Sequence, residues 1–491
     1  MRRTSGFSGE QLAQVRNPDP FAVPAWRSPV YRTPGWIITF VLAARLLGHL
    51  IRFLARHPLA TMAAVVVILL WRVIGWPGLA ALTGSLAAVL AAWRWRFPAS
   101  FARFVAGPAR TALRKWRYRR RWHAVMTIGG LAPRYQGRIL LPVLGRVTTT
   151  PCTDRVAVRL VSGQSSADFA ANADNLADGF RARICRVRTA RPGMVVLEFV
   201  RRDALARPIP AFPVPHHVDL RDLLVGVRED GLPWLIRLHG THLLIAGSTG
   251  AGKASLLWSL VRALLPAMRD GLVRVLAADP KRMELAYGRA IFDRYGQYAA
   301  DPEAIVVMLE QQVAEMQDRA ARLAGHHRHH TPTAEFPFVV IVVDEVAFLT
   351  AYQPERKLRD RTLAALATLT TQGRAVGYCV VAAVQDPRKE VLTIRNLFPT
   401  RIVMRLDEGD QVDLVLGDGA RDRGATADLI STDPEVGAGV AYVRLEADPD
   451  PVRVRAAWVA DPDIKAMAAA YATDPGVTVP QPRSIEAGAR L

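Results

Sequence analysis

Three patterns of apolar and polar positions follow one another along the chain. Trp36–Leu54 is apolar except for Arg45, His49 and Arg52, with Arg56 following. Spacings of 4, 3 and 4 place these four on one helical face, which predicts a helix over 36–56 lying in an interface rather than crossing it. Leu59–Trp76 is apolar apart from Arg72, Gly78–Trp93 carries no charge, and Gly75-Trp76-Pro77-Gly78 between them is a turn signal. Eighteen helical residues cover roughly 27 Å, close to the ~30 Å core of a bilayer, so a transmembrane hairpin over 59–76 and 78–95 is expected. A buried pair of soluble helices is the alternative. From about 125 to 215 the runs RILLPVLGRV, RVAVRLV and MVVLEFV flank one helical stretch, SADFAANADNLADGFRA, as in a small α/β module. The Pro-rich run Ala206–His217 ends that module as a linker. Beyond it Leu243–Ala246, LVRVLAADPKRMEL, FPFVVIVVDEVAFL, YCVVAAVQDP, RIVMRL and GVAYVRL read as strands; FPFVVIVVDEVAFL is almost continuously apolar up to its acidic end, as a strand covered on both faces of a parallel sheet is. Amphipathic segments such as PEAIVVMLEQQVAEMQDRAARL alternate with them, so the fold class expected is α/β and doubly wound.

Charge sharpens this division. The net charge is +20, and residues 1–150 hold 22 Lys and Arg against 2 Asp and Glu, so the rest of the chain is balanced. That distribution excludes a uniformly basic, histone-like protein, and the half-hydrophobic composition excludes global disorder. Trp71, Trp76, Trp93 and Trp95 mark the segment ends like interfacial anchors. Arg52, Arg56, Arg94, Arg96 and Arg103 flank the hairpin, which places both its ends in the cytoplasm by the positive-inside rule. The reading is a multi-pass protein of the cytoplasmic (inner) membrane with its bulk in the cytoplasm. RKWRYRRRW (114–122) is then a patch facing anionic membrane lipids. Cys152, Cys185 and Cys379 have neither disulfide nor metal-ligand spacing. The run His326-His327-Arg328-His329-His330 is expected as a surface insertion rather than a metal site.

The chemistry begins where LLIA runs into Gly247-Ser248-Thr249-Gly250-Ala251-Gly252-Lys253 and then into an apolar-periodic helix. Strand, G-x-x-x-x-G-K loop and helix together are the phosphate-binding P-loop, in which backbone N–H groups surround phosphate oxygens and Lys253 reaches the β- and γ-phosphates. The next position normally supplies a hydroxyl for Mg²⁺; here it is Ala254 followed by Ser255, so Ser255 or a water takes that role, or hydrolysis is weakened. FPFVVIVVDEVAFL ends its strand in Asp344-Glu345, where Asp344 can hold Mg²⁺ and Glu345 can polarise the attacking water. The expected geometry is Lys253 and Asp344-Glu345 converging from neighbouring strand tips on one ATP. Gln385, at the tip of YCVVAAV, is placed to sense the γ-phosphate, and Asp279-Pro280-Lys281 ends another strand.

These motifs resemble the FtsK/SpoIIIE-type DNA translocase superfamily: D-P-K-x-x-E-L at Asp279–Leu285, Met316 and Arg319 before the acidic strand, then QGRAVGYCVVAAVQDP and LFPTRI. The order of membrane hairpin, small module and single motor is similar to actinobacterial TraB/TraSA-like conjugative transfer proteins. The resemblance implies a RecA-like P-loop core in a homo-hexameric ring that moves double-stranded DNA using ATP and Mg²⁺. Its site would comprise residues 247–255, Asp344, Glu345 and Gln385. Arg401, or Arg374, would be the arginine supplied to a neighbour. The expected divisions are a flexible tail over 1–35, a membrane region over 36–97, the basic segment and module over 98–215, the motor over 216–460 and a C-terminal tail over 461–491. Two features depart from the family pattern: LDEGDQVDLVLG replaces a serine–arginine segment, and too few residues follow Ala456 for a DNA-reading winged helix. Chromosome segregation at division, a type VII secretion-like protein-export ATPase and a non-hydrolysing adaptor are the other readings.

Overall fold

The computed structural model describes residues 40, 43, 58–326, 330–388, 395–445 and 448–473. The tail expected over 1–35, nearly all of the interfacial helix expected over 36–56, and His327–His329 lie outside these. The chain divides into two compact units, 1–102 and 103–491.

In the first unit, helix α1 (Pro58–Arg96) is interrupted at Gly75, whose φ of 69° and ψ of −179° are non-helical, with Pro77 following. Among the described residues one stretch, Val67–Arg96, is long and apolar enough to cross a membrane, with a mean hydropathy of 1.7 and no burial. Two helical stretches thus meet at a kink where the sequence predicts a turn; the structure does not show that they form a two-span hairpin.

The second unit opens with helix α2 (Gly107–Ile128) and a four-stranded antiparallel sheet: β1 (Val143–Thr149), β2 (Thr153–Arg159), β3 (Ile184–Arg191) and β4 (Met194–Val200), in the order β1-β2-β4-β3. Tyr118, Trp122 and Met126 recur every four residues on α2 and bury against Val156, Val158, Leu197 and Phe199 from the sheet and Phe180 from the intervening helices. The basic segment is therefore no free lipid-facing ribbon: one face of it is the module's core. The fully buried Asp154 is held by Arg114, by Arg201 at 2.9 Å and by the Tyr118 hydroxyl at 3.0 Å.

The remainder is built on one eleven-stranded sheet. In chain order its principal elements are β5 (Leu223–Arg228), β6 (Pro233–Ile236), β7 (Leu243–Ala246), α3 (Lys253–Arg269), β8 (Val273–Ala278), β9 (Gly296–Ala299), α4 (Pro302–Leu323), β10 (Phe338–Val343), α5 (Arg356–Gln372), β11 (Tyr378–Val384), β12 (Thr400–Met404), α6 (Gly409–Leu416), β13 (Val440–Leu445), β14 (Asp448–Trp458) and α7 (Asp461–Thr473). The strand order is β9-β8-β10-β11-β7-β12-β13-β14-β5-β6, and the eleventh strand, Ile209–Pro210, pairs with β14 off this path. Pairing is parallel from β9 to β12 and antiparallel from there on, so the sheet is mixed, not parallel throughout as expected. The reason is local: β13 and β14 are joined by a short connection, which allows only antiparallel neighbours. Two apolar clusters, one on each face, bury every residue of β7, β10 and β11.

The C-terminal boundary also moves. Residues 461–473, expected within a tail, form α7, which buries Ile464, Met467 and Tyr471 in the core of the large sheet. The fully buried Arg455 on β14 donates to the carbonyls of Leu205, Ala438 and Glu435 at 2.9–3.0 Å, tying the linker to the turn before β13. His330 is buried rather than a surface residue, its Nε2 2.8 Å from the Phe336 carbonyl.

His242, at the start of β7, is fully buried and its Nδ1 accepts the Val380 N–H at 3.0 Å. Burial, with Arg374 nearby, pushes its imidazole down to about 4. A depressed folded value means its contribution is complete above the ordinary value near 6.5 and is lost as pH falls through about 4. Thermal unfolding of the full chain in detergent should thus show a loss on the order of 3 kcal/mol from this group between those limits. In His242→Asn, which keeps an acceptor for Val380, the proton uptake on unfolding should fall by about one.

Candidate nucleotide site

The site is assembled from strand tips. Because β7 is flanked in parallel by β11 and β12, with Ala246 level with Val384 and Val403, the chain leaves all three strands at the same end of the sheet. Gly247 N–H donates to the Val384 carbonyl at 3.0 Å, and Ser248 N–H donates to that of Arg405 at 2.8 Å. The loop is thus fixed on both sides before it turns. Two left-handed positions make the turn possible, Gly250 at φ 75° and Gly252 at φ 95°. A Cβ on Gly252 would come within 2.4 Å of Gly439 N, and Gly439 N–H itself donates to the Ala251 carbonyl at 2.9 Å. The turn before β13, held by Arg455, is therefore the floor of the loop.

Lys253 opens α3 and is buried, its Nζ donating to the Gly247 and Ser248 carbonyls at 2.6 and 3.3 Å. Burial draws its ammonium below the ordinary lysine range, while Glu345 and Asp344 beside it act in the opposite sense. The two acids act on the lysine through their charge, and they do not come from a neighbouring strand: β11 lies between β7 and β10. This corrects the expected adjacency, and it puts Gln385 between the two motifs. Gln385 touches both, its Oε1 3.3 Å from the Thr249 hydroxyl and its N–H donating to Glu345 at 3.3 Å.

Glu345 is 4% exposed, with one carboxylate oxygen on that N–H and the other 3.1 Å from Lys281 Nζ. Burial, reinforced by Asp279 and Glu284, pushes Asp344 up to about 7. Asp279 has a different duty: its carboxylate accepts the N–H groups of Leu285 and Ala286 at 3.0 and 3.1 Å, folding the loop that carries Lys281. Ala254 packs against the apolar core and Ser255 is half-buried on the first turn of α3. The residues expected to offer oxygen to a Mg²⁺ ion are Asp344 and Ser255. Among the described residues no cluster of three or more His, Cys, Asp or Glu forms a metal site of its own.

Arg401 lies elsewhere. It is level with Leu244, toward the start of β7, and donates to the carbonyls of Phe398 and Val415 at 3.0 and 2.9 Å. Arg374 donates to the Gly240 carbonyl at 2.8 Å, also before β7. Neither sits at this chain's own loop. Arg405 does, and sequence reasoning passed over it: its guanidinium donates to the Thr249 carbonyl at 2.6 Å from the tip of β12. The signal was present, since Arg405 follows an apolar strand as Gln385 and Asp344 do.

Residues 211–335 match the FtsK/SpoIIIE family, and residues 90–201 match the actinomycete conjugal transfer protein N-terminal domain. The chain is 26% identical over 268 residues to DNA translocase FtsK of Tropheryma whipplei, covering 50% of this chain and 34% of the relative. Against DNA translocase FtsK of Corynebacterium efficiens it is 27% identical over 248 residues, 43% and 26% of the two chains. It therefore spans about a third or less of the length of these relatives. Among solved structures, the pCW3 conjugation coupling protein TcpA monomer with ATPγS is 20% identical with a TM-score of 0.45, covering 70% of this chain and 95% of that one. The cytoplasmic domain of the Thermomonospora curvata type VII secretion ATPase EccC is 20% identical with a TM-score of 0.41, covering 57% and 34%. The FtsK/SpoIIIE segment holds the P-loop and Lys281, whereas Asp344, Glu345, Gln385 and Arg405 lie beyond it.

Glu345→Gln should leave nucleotide binding within about threefold while lowering ATP turnover by roughly 10²-fold, since a positioned base contributes that much. Measured turnover within threefold of wild type would remove Glu345 from the mechanism. Arg405→Ala releases the loop at Thr249, and its affinity for a fluorescent ATP analogue should fall about tenfold, consistent with the loss of a charge-assisted hydrogen bond.

Proposed function

We propose that this protein is a membrane-anchored, ATP-driven translocase of double-stranded DNA that serves the transfer of a plasmid or integrative element between cells. The observation that carries the reading is Glu345 held by the Gln385 N–H and by Lys281, with its charge acting on Lys253 of the Gly-rich loop, in a chain whose residues 90–201 match the actinomycete conjugal transfer protein N-terminal domain. The relatives named DNA translocase support DNA as the substrate. The apolar helix over Val67–Arg96 supports the anchor by length and composition.

The loop is suited to a triphosphate because its N–H groups precede a helix N-terminus and Lys253 supplies a compact charge beside them. On binding, Lys253 exchanges the Gly247 and Ser248 carbonyls for phosphate oxygen. Glu345 orients the attacking water, and Lys281 together with the Gln385 N–H holds that carboxylate in place. Gln385 also contacts Thr249, so a change at the γ-phosphate is communicated to the β11 tip. Asp344, with Ser255, would hold Mg²⁺, whose charge compensates the phosphates; Asp344 is protonated readily without a cation because it is buried among acids. Arg401 or Arg374, remote from its own loop, would serve a neighbouring subunit in a homo-hexamer.

The full chain, reconstituted in nanodiscs, should hydrolyse ATP at least fivefold faster with linear duplex DNA than without it. Lys253→Ala should reduce both rates to background. Hydrolysis by the assembled protein that duplex DNA leaves unchanged would overturn the reading.

A further inference from the structure

Outside the nucleotide site, guanidinium groups converge on a second concavity. A cleft of about 680 Å³ lies on the small module, lined by Arg114, Arg117, Arg120 and Arg121 of α2, by Arg181 and by Arg201. No carboxylate lines it. Asp154 is fully buried behind Arg114 and Arg201 and neutralises at most part of the charge, leaving the other four arginines without an acid in the wall.

The cleft is built rather than incidental. Arg201 is oriented by four contacts: Asp154 at 2.9 Å, the Tyr118 hydroxyl at 2.7 Å, and the carbonyls of Phe180 and Arg181 at 2.5 and 2.9 Å. Arg181 sits in the left-handed region at φ 57°, an uncommon conformation for a side chain of its size, and so carries its guanidinium at a sharp helix end. Tyr118 and Phe180 supply an apolar wall. Trp116, 54% exposed, lies at the rim with Arg120 5.4 Å from its ring, and Leu113 is exposed on the preceding turn. Like charges of this density repel one another unless an anion joins them.

We infer that this cleft binds the phosphate-bearing headgroup of an anionic glycerophospholipid. The inference rests on the anchored reading of Val67–Arg96. Three features favour this occupant over a nucleic acid. The cleft is concave and of a size for one headgroup with its glycerol, whereas a duplex presents phosphates along a convex rod and requires a track. Exposed tryptophan and leucine beside arginine suit a headgroup–acyl boundary. Finally, α2 begins only ten residues after α1 ends at Arg96, and it is the first long helix after the apolar one. Clusters of basic residues close in sequence to a spanning helix attract anionic headgroups by charge.

The test uses the full chain purified in a neutral detergent and a phosphatidylglycerol carrying a fluorescent acyl chain, read by anisotropy. Saturable binding at least tenfold tighter than to the matching phosphatidylcholine is expected. Arg117→Gln/Arg120→Gln should weaken it at least fivefold, whereas Arg119→Gln, on the same helix but outside the cleft, should not. Unchanged thermal unfolding of the double variant separates loss of site from loss of fold, and Trp116→Ala provides a second variant that leaves the charges in place and should weaken binding. Equal binding of the two lipids, an equal loss in Arg119→Gln, or displacement of the lipid by a 20-base-pair duplex at lower concentration would each overturn the inference. Alkaline carbonate extraction of membranes reads the anchor separately: release of the wild-type chain sinks the anchored reading, whatever the detergent titration gives.

Discussion

The position of β7 between two parallel neighbours is the constraint on which the site depends. Four buried residues, Leu243–Ala246, pair on one side with β11 and on the other with β12, so the loop emerges between two other strand tips and is bonded at once to both, through the Gly247 and Ser248 N–H groups. Parallel pairing sends every chain direction the same way, and side chains at the C-terminal tips of β10, β11 and β12 have no choice but to surround the loop. Were β12 antiparallel to β7, Arg405 would lie at the far end and the Ser248 N–H would lose its acceptor.

The antiparallel half of the sheet serves the same loop from below. β13 and β14 carry no nucleotide chemistry, yet the turn before β13 supplies Gly439 to the Ala251 carbonyl, and Arg455 fixes that turn through Ala438 and Glu435. The same guanidinium bonds Leu205 at the end of the small module. Charged pairs join module and motor further along: Arg186 with Glu229 at 2.6 Å, Arg188 with Asp450 at 3.0 Å, and Arg453 with Asp203 at 3.3 Å. A buried guanidinium with three carbonyl partners is costly to move, because each acceptor left behind loses its hydrogen bond in a region without water. A displacement of the module is thus transmitted to the loop floor through one residue.

The electrostatic design separates two kinds of arginine. Around the nucleotide loop the cations are few and each has a fixed partner: Lys253 on two carbonyls, Lys281 on Glu345, Arg405 on Thr249. In the cleft of the small module six line one concavity, and only two of them, Arg114 and Arg201, bond a buried acid. The first arrangement positions reacting groups, whereas the second stores unbalanced charge for an external anion.

Much of the site was legible in the chain. Apolar runs ending in Lys253, Asp344-Glu345 and Gln385 declare themselves because a strand covered on both faces admits no polar residue until its tip, and glycines at 247, 250 and 252 mark a backbone that must approach an anion. The α/β alternation and the apolar character of Val67–Arg96 follow from composition and period alone. Tertiary structure decided what local pattern does not encode. It placed β11 between the P-loop strand and the acidic strand, because strand order depends on crossovers and not on sequence order. It turned the last strands antiparallel, drew 461–473 into the core, and folded the basic helix onto the module through Tyr118 and Trp122. It brought Arg405 to the loop and left Arg401 at the opposite end, since a charged residue's partner is chosen by where two distant segments meet.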